Sequence, residues 1–299
     1  MSDFLSRVAS APISWGICEV PGWGEMLPTD RVLSEMKQFG FNATELGAPG
    51  FLPAEGEAAK AKLAEYDMEM LGGFVPLVLH DPAQREKAIA DATAAAEIFQ
   101  ASGGSKFVTA VILDEDWSEP RPLTDEEKAH FVEMLGVVDE ICAAHGLEQV
   151  IHPHAQTLIE TAADVEWLLD ASDVKWTLDT GHLAIGGVDP VAFARDNVDR
   201  VGYVHLKDVN LEMAPAVLRR ELSLMEGAKT GLFTVLGEGS IDIAGVVKAL
   251  EEAGYQGWYV IEQDTALTDG LPAEGTGPIE AVRASMTYLQ DVVAPTLAS

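Results

Sequence analysis

The chain has 299 residues, 47% of them hydrophobic, so it is long enough and apolar enough to bury a sizeable core. Its 19 basic residues stand against 49 acidic ones, which gives a net charge of −30 at pH 7. Because nucleic acids and anionic membrane surfaces repel such a charge, we expect neither as a partner. A small neutral polyol or sugar suits this charge better.

Cysteine content and the N-terminal segment indicate the compartment. Cys18 and Cys142 lie far apart in the sequence, so no disulfide framework is expected. Residues 1–15 lack the basic start and the long apolar run of a secretory signal. Nowhere do about eighteen apolar residues follow one another, as a membrane-spanning helix requires. We therefore expect a cytoplasmic protein.

Short β-like runs alternate with longer helical patterns along the whole chain, and no linker-like segment divides them. The predicted strands cover 9–15, 41–46, 68–79, 106–113, 147–151, 174–178, 201–206 and 258–261. The predicted helices begin near 29, 55, 82, 124, 161, 190, 241 and 277. Eight strands rich in Val, Ile and Leu, alternating with eight helices, predict a single-domain (β/α)8 TIM barrel over 1–299.

An open, doubly wound α/β sheet is the alternative architecture. Such sheets carry a glycine-rich phosphate fingerprint after the first strand, and residues 16–30 contain none. The polar residues suited to chemistry also follow many strands, whereas a doubly wound sheet gathers them at one switch point. Both observations favour the barrel.

Residues 211–240 interrupt the strand and helix repeat. The part from 211 to 236 is charged and about twice the usual length of a connection. It leads into Gly237 and Gly239, which are candidate hinges. We predict that this inserted segment forms a lid or rim over the mouth of the barrel.

Residues with ligand or acid–base chemistry occur at the C-terminal ends of the predicted strands. They are Glu45, His80, His152, His154, Asp179, His182, His205, Lys207 and Glu262. Five of the seven histidines fall in this set. Because the strand ends of a parallel barrel meet at one face, carboxylates and imidazoles there predict a divalent-cation site.

Two short motifs make that prediction more specific. In the sequence His152-Pro153-His154, the imidazoles are two residues apart on an extended chain, so both can point to the barrel axis. In Asp179-Thr180-Gly181-His182, Asp179 is a candidate ligand and Gly181 lets the backbone turn, so that His182 folds back toward metal or substrate. The alternative role for Asp179 is a cap for the next helix.

Strand alternation also sends His205 and Lys207 to the same side. Beside a cation, Lys207 would be tolerated if it faced a substrate oxygen, where its charge would help an enolate to form. An ordinary salt bridge to Asp208 or Glu238 is the alternative for this lysine.

The motif DTGH, followed by HLKD, a GEG turn and a strand ending in IEQD, resembles the xylose isomerase-like TIM barrels, a superfamily that includes endonuclease IV-type enzymes. The resemblance runs the length of the chain. It implies that Asp179, His205 and Glu262 are metal ligands and that the fourth ligand is His152, where many relatives have Glu. A second glutamate there serves proton transfer in isomerases, so an imidazole at this position favours elimination of water.

Within that superfamily, APISWG, ATELGAPGFLP, HPHAQT and GLFTVLGEGSIDI are most similar to the inosose dehydratases of inositol catabolism. The resemblance implies a lyase that uses a divalent ion (Mn, Co or Mg) to remove water from a cyclic polyol ketone. Glu262 is then the candidate base, and His154 or His182 the candidate acid. From position, the predicted substrate contacts are Trp15, Glu45, His80 and Lys207.

Three other functions remain open at this point. A sugar or keto-acid isomerase or epimerase would use the same metal site and give a product of unchanged mass. An endonuclease IV-type repair enzyme would need a basic phosphate-binding face, which the net charge disfavours. A binding module would keep the barrel without its metal. Barrels of this family commonly pair, so a homo-oligomer is also expected.

Overall fold

A barrel of parallel strands forms the centre of the computed structural model, which describes residues 3–18 and 20–297. The predicted domain of 1–299 also includes residues 1, 2, 19, 298 and 299, which lie outside the described part. Nine strands form the main sheet, in the order β3-β2-β1-β11-β8-β7-β6-β5-β4. They are β1 (Val8–Ser10), β2 (Ala43–Thr44), β3 (Glu69–Met70), β4 (Gly72–Leu77), β5 (Lys106–Val111), β6 (Glu148–Ile151), β7 (Lys175–Asp179), β8 (Val201–Leu206) and β11 (Tyr259–Ile261).

The sheet closes because its two ends, β3 and β4, are consecutive parts of one extended segment. β3 pairs with β2, and β4 pairs with β5, all in parallel. Leu71 joins the two parts: its N–H donates to the Thr44 carbonyl, and its carbonyl accepts from Lys106. The nine strands therefore act as the eight of a (β/α)8 TIM barrel, as predicted.

Helices surround the barrel. The short helix α1 (Asp3–Ser6) precedes the first strand. The helices between and after the barrel strands are α2 (Thr29–Gln38), α3 (Gly56–Ala64), α4 (Arg85–Ser102), α5 (Asp125–Ala144), α6 (Ala162–Ala171), α7 (Thr180–Ile185), α8 (Pro190–Asp196), α11 (Ile243–Glu252), α12 (Pro278–Tyr288) and α13 (Ala294–Thr296). Capping boxes at Thr124 and Thr161 fix the starts of α5 and α6, so their first N–H groups are satisfied. Within the described ranges, none of these helices is long and apolar enough to cross a membrane.

Several predicted elements are shorter than the sequence indicated; the second strand, for example, covers only Ala43–Thr44 of the predicted 41–46. The first strand ends at Ser10, and Pro12–Trp15 forms a 3-10 helix closed by Gly16 at φ 79°. Pro12 fixes φ and has no N–H for a strand ladder, which explains the early end. Likewise, Pro82–Gln84 is a 3-10 turn, so the predicted helix from 82 becomes α-helical only at Arg85.

The inserted segment adds two short helices, α9 (Ala214–Leu218) and α10 (Leu224–Thr230), and an antiparallel pair formed by β9 (Asp208–Val209) and β10 (Phe233–Thr234). The buried carboxylate of Asp208 accepts the backbone N–H groups of Val209, Gly237, Gly239 and Ile241 at 2.9–3.0 Å. Gly237 and Gly239 are thus held by hydrogen bonds to Asp208, whereas hinge residues need backbone that is free to move. Asp208 is also committed to these bonds, so it is not the salt-bridge partner suggested for Lys207.

Gly72 is the position on which closure of the barrel depends. Its φ is 153°, and a Cβ there would collide with the carbonyl oxygen of Lys106 on β5. Glycine therefore permits the close approach of β4 to β5 at the break in the third barrel strand.

We predict that Gly72→Ala lowers the free energy of unfolding by about 2–4 kcal/mol, through backbone strain and the collision with Lys106. Urea unfolding followed by circular dichroism measures the change. Gly136→Ala is the matched control, because Gly136 is exposed in the middle of α5 and an added Cβ meets nothing within 4 Å. The control should gain about 0.5–1 kcal/mol. Equal stability of the two variants would contradict the prediction.

Candidate active site and metal centre

Four ligand-type side chains converge at the C-terminal ends of the barrel strands. His152 follows β6, Asp179 ends β7, His205 lies in β8 and Glu262 follows β11. Each offers one ligand atom, and these atoms all lie within 4.8 Å of one another. The structure therefore brings together the four residues predicted as ligands, hereafter the metal cluster, and this group is able to hold a metal ion.

The surroundings of two carboxylate oxygens indicate whether the metal cluster suits a cation. Asp179 Oδ2 and Glu262 Oε2 are buried and lack a hydrogen bond of suitable geometry. Asp179 Oδ2 lies 3.5 Å from His152 Nε2 and 3.7 Å from His205 Nδ1. Glu262 Oε2 lies 2.7 Å from the same His205 nitrogen. Buried carboxylate oxygens need a proton, a hydrogen bond or a cation, so this donor set fits a divalent ion.

His205 is oriented from behind by Glu45. Its Nε2 is 2.9 Å from Glu45 Oε1, which also accepts from the Tyr203 hydroxyl at 3.0 Å. Because Nε2 is engaged in this way, Nδ1 faces the metal cluster. A carboxylate behind a histidine fixes the ring and the tautomer that a metal ligand needs. Glu45 is only 6% exposed, and its contact with substrate stays a prediction.

A proton on His205 balances the charges of the metal cluster. Burial alone would lower the pKa of the His205 imidazole, but Glu262 and Glu45 outweigh burial and raise that pKa well above its usual value. Burial also opposes ionisation of Glu262, yet His205 and Lys207 bring its pKa down to about 2. Positive charge is therefore stabilised at the point where a cation would share the same carboxylates.

Lys207 is 1% exposed and lies among carboxylates. Its Nζ is 2.9 Å from Asp264 Oδ1, 3.3 Å from Glu262 Oε2 and 3.6 Å from Asp179 Oδ2. Burial lowers the pKa of Lys207, but Asp264 and Glu262 outweigh burial and raise it, so the side chain is an ammonium. The predicted salt bridge to Asp208 or Glu238 is replaced by these contacts.

Gly181 has a different role from the predicted one. It lies inside α7, and a Cβ at this position would come within 2.6 Å of Lys207 Cγ. Glycine is therefore needed to let the Lys207 stem pass, and the helix itself turns the chain. Asp179 also caps that helix, since its Oδ1 accepts from the His182 N–H at 2.7 Å. The cap and the ligand roles use different oxygens of one carboxylate.

His154 and His182 stack beside the metal cluster, with ring centroids 3.8 Å apart. His182 Nε2 is 3.0 Å from Lys207 Nζ, and its Nδ1 accepts from the Ala155 N–H at 3.3 Å. Burial, with help from neighbouring positive groups, lowers the pKa of His154 to about 3 and that of His182 well below its usual value. Both rings are therefore neutral near pH 7.

Like Glu45 and Lys207, the other two predicted substrate contacts are buried. Trp15 is fully buried in the core, and its Nε1 donates to Glu35 Oε2 at 2.9 Å. His80 is 4% exposed, and burial lowers its pKa. A role for either residue in substrate binding stays a prediction.

Several residues beside the site carried no signal in the sequence. Phe74 and Trp117 stack at 6.2 Å, and Phe74 lies 5.8 Å from the His152 ring. Both aromatic side chains are more than a third exposed, which is unusual for a residue in a barrel strand such as Phe74. Phe233 of the inserted segment lies 5.2 Å from Lys207 Nζ.

A closed (β/α)8 barrel with a His/Asp/Glu cluster at the C-terminal ends of its strands defines a class: barrel enzymes with a candidate metal-centred active site. The chain belongs to the xylose isomerase-like TIM barrel family, whose sequence profile matches residues 33–292. This confirms the resemblance drawn from the strand-end motifs.

Individual relatives agree with the family assignment. An inosose dehydratase of Geobacillus kaustophilus is 33% identical over 275 residues, which is 87% of this chain and 89% of that protein. The fold is shared with the solved structure of AsbF from Bacillus anthracis, described as a probable 3-DHS dehydratase, which superposes with a TM-score of 0.70 at 16% identity and covers 95% of this chain and 98% of the other.

Two further solved structures share the fold. An L-ribulose 3-epimerase superposes with a TM-score of 0.68 at 18% identity, covering 98% of this chain and 95% of the other. The IOLI protein, solved with a zinc atom, gives a TM-score of 0.69 at 16% identity and covers 97% of this chain and 98% of the other.

We predict that Asp179→Asn abolishes metal retention without unfolding the barrel. The amide keeps the oxygen that caps α7 but removes the negative charge that a divalent ion requires. Elemental analysis of protein dialysed against Mn²⁺ or Co²⁺ gives the metal content. Asp189→Asn is the control, because Asp189 caps α8 in the same way and is exposed. Equal metal content in both variants would contradict the role of Asp179.

Proposed function

We propose that this chain is a metal-dependent dehydratase that removes water from a cyclic polyol ketone, with scyllo-inosose as its substrate, in inositol catabolism. The predicted hydro-lyase class is confirmed by two relatives named inosose dehydratase. Both match this chain over most of its length and most of their own. The observation that carries the proposal is the metal cluster, with the ammonium of Lys207 beside it.

His152, Asp179, His205 and Glu262 would hold the cation. Mn²⁺, Co²⁺ or Mg²⁺ suits mixed imidazole and carboxylate ligands, and when bound it polarises a carbonyl and lowers the barrier to loss of the α-proton. Glu45 keeps His205 Nδ1 directed at the centre, as described above. The barrel thus supplies a site that is ordered before substrate arrives.

Proton transfer falls to the side chains around the metal cluster. Glu262 is ionised, so the carboxylate oxygen that would not hold the cation takes the α-proton. The Lys207 ammonium stabilises negative charge that develops on the substrate oxygen. His154 and His182 are neutral, so each ring has one N–H that can donate a hydrogen bond to the departing hydroxyl. That hydroxyl leaves as water once it has taken a proton, which a ring passes on from Lys207 or another donor.

The surroundings of the site suit a polyol ring. Phe74 and Trp117 offer an apolar face beside His152, against which the C–H face of a ring can pack. The imidazoles of His154 and His182 supply neutral hydrogen-bonding groups. A neutral substrate also experiences no repulsion from the net charge of −30.

The purified protein is expected to convert scyllo-inosose into a product lighter by one water, with the absorbance of a conjugated dione or enol. Mass spectrometry and ultraviolet absorbance follow the reaction. Removal of metal with a chelator should stop it, and Mn²⁺ or Co²⁺ should restore it, because the cation polarises the carbonyl. A product of unchanged mass would indicate an isomerase or epimerase instead, and activity that survives complete metal removal would refute metal dependence.

We propose in addition that residues 211–236 are a lid over the barrel mouth. Arg220 forms a bidentate pair with the buried Glu160, at 2.7 and 2.6 Å, in the connection between β6 and α6. Lys229 donates to the Gly22 carbonyl at 3.2 Å, in the connection between β1 and α2. Both connections lie at the C-terminal ends of strands, where the metal cluster also lies. Phe233 then closes the site above Lys207.

Arg220→Gln is expected to raise KM for inosose about tenfold, because a charged hydrogen-bonded pair contributes about 1.5–3 kcal/mol to the closed lid. The same variant should speed tryptic cleavage within 211–236. Arg219→Gln is the control, since Arg219 pairs with Glu221 on the surface, with both side chains about 60% exposed. Identical kinetics and cleavage in the two variants would remove the support for a lid.

A further inference from the structure

A second buried carboxylate, Asp264, lies beside the site and is outside the metal cluster. It follows Glu262 by two residues in the loop after β11 and is 5% exposed. Its Oδ1 is 2.9 Å from Lys207 Nζ, the shortest of the three carboxylate contacts given for this ammonium. Asp264 is therefore the main ion-pair partner of Lys207.

The other contacts of Lys207 show what that partner prevents. Glu262 Oε2 and Asp179 Oδ2 lie 3.3 and 3.6 Å from Nζ, and both are oxygens that a cation in the metal cluster would need. An ammonium without its own counter-charge would move to these oxygens, because opposite charges attract strongly at such distances in a buried site. It would then compete with the cation for its ligands.

Lys207 is also confined on its remaining sides. Gly181 leaves just enough room for its stem, and Phe233 lies over its ammonium at 5.2 Å. Its backbone N–H donates to Thr180 Oγ1 at 2.8 Å. With the stem and the backbone fixed, the position of Nζ is decided by the carboxylates around it and by His182 Nε2, which lies 3.0 Å away.

We propose that Asp264 is a positioning residue for Lys207: it holds the ammonium at the edge of the metal cluster, clear of the ligand oxygens and directed at the substrate oxygen. It balances the charge of Lys207, so that Asp179 and Glu262 remain available to the cation. This inference rests on the proposed function for the role of Lys207 toward substrate. The arrangement of Asp264, Lys207 and the ligands can be tested without turnover.

The experiment compares Asp264→Asn, Lys207→Met and the double variant in the full-length, metal-loaded protein. Asp264→Asn should lower kcat for inosose dehydration about 10- to 100-fold with a smaller change in KM, as expected when a group that supports a reacting residue is lost. In the Lys207→Met background the same substitution should change kcat less than twofold, because Asp264 acts through Lys207. Asp269→Asn, an exposed acid of the same loop, should leave kcat unchanged.

A binding measurement gives a second readout that needs no turnover. Titration with Co²⁺, followed by its visible absorption, should show weaker binding to Asp264→Asn, by about tenfold, because the freed ammonium turns to the ligand oxygens. Adding Lys207→Met should restore the affinity. Asp264→Ser gives the same comparison if the asparagine variant does not fold.

The possible results distinguish a failure of the inference about Asp264 from a failure of the proposed function. If the kcat losses of the single variants multiply in the double variant, Asp264 acts independently of Lys207 and the inference is wrong. Unchanged kcat and unchanged Co²⁺ affinity in Asp264→Asn would also overturn it. If the wild-type protein removes no water from inosose, the proposed function fails, while the Co²⁺ titrations still decide whether Asp264 keeps Lys207 away from the ligands.

Discussion

The imidazole of His205 held between two carboxylates is the interaction on which the site depends. Its Nε2 faces Glu45 and its Nδ1 faces Glu262 at 2.7 Å. Negative charge at such short range in a buried place must be compensated. A proton on His205 supplies the compensation, and a cation bound among the ligands would displace that proton. Binding of a metal ion at this site would therefore be linked to release of a proton from His205.

Because Asp179 is buried, its carboxylate depends on a positive charge within the metal cluster. Asp179 is fully buried, so its Oδ2 cannot turn to water when the site lacks positive charge. Its other oxygen is committed to the start of α7, which fixes the carboxylate in place. The same residue thus joins helix capping and ligand geometry, and the ligand set remains ordered. Such order before binding reduces the cost of assembling a metal centre.

The strand ends could be read from the sequence because position alone decides where a side chain points in a parallel barrel. That position placed all the candidate residues at one face, and the family resemblance then selected His152, Asp179, His205 and Glu262 as ligands; these four lie together. What the pattern did not reveal is the set of contacts across the barrel. Glu45 reaches His205 from a strand on the other side of β1 and β11, a pairing that sequence spacing cannot indicate.

Other misses have local causes. The first predicted strand looked continuous in its apolar residues, but its second half forms a 3-10 turn that begins at Pro12 and ends at Gly16. Asp264 lies in the IEQD motif but was not predicted as a site residue, since only the fold brings it to Lys207. Gly181 looked like a turn residue because a close approach by a distant side chain leaves no mark in local sequence.

The end of β8 and the residues just beyond it connect the inserted segment, which we propose as a lid, to the metal cluster. Lys207 is directed to the metal cluster, while the next residue, Asp208, accepts four backbone N–H groups around the return of the inserted segment. Phe233 comes back from that segment to cover the Lys207 ammonium. Removing the segment would leave Asp208 with unpaired buried oxygens and would expose Lys207 to water, which weakens every charge interaction at the site. The insertion therefore supports the candidate site in two ways, by satisfying the Asp208 carboxylate and by covering the Lys207 ammonium with Phe233.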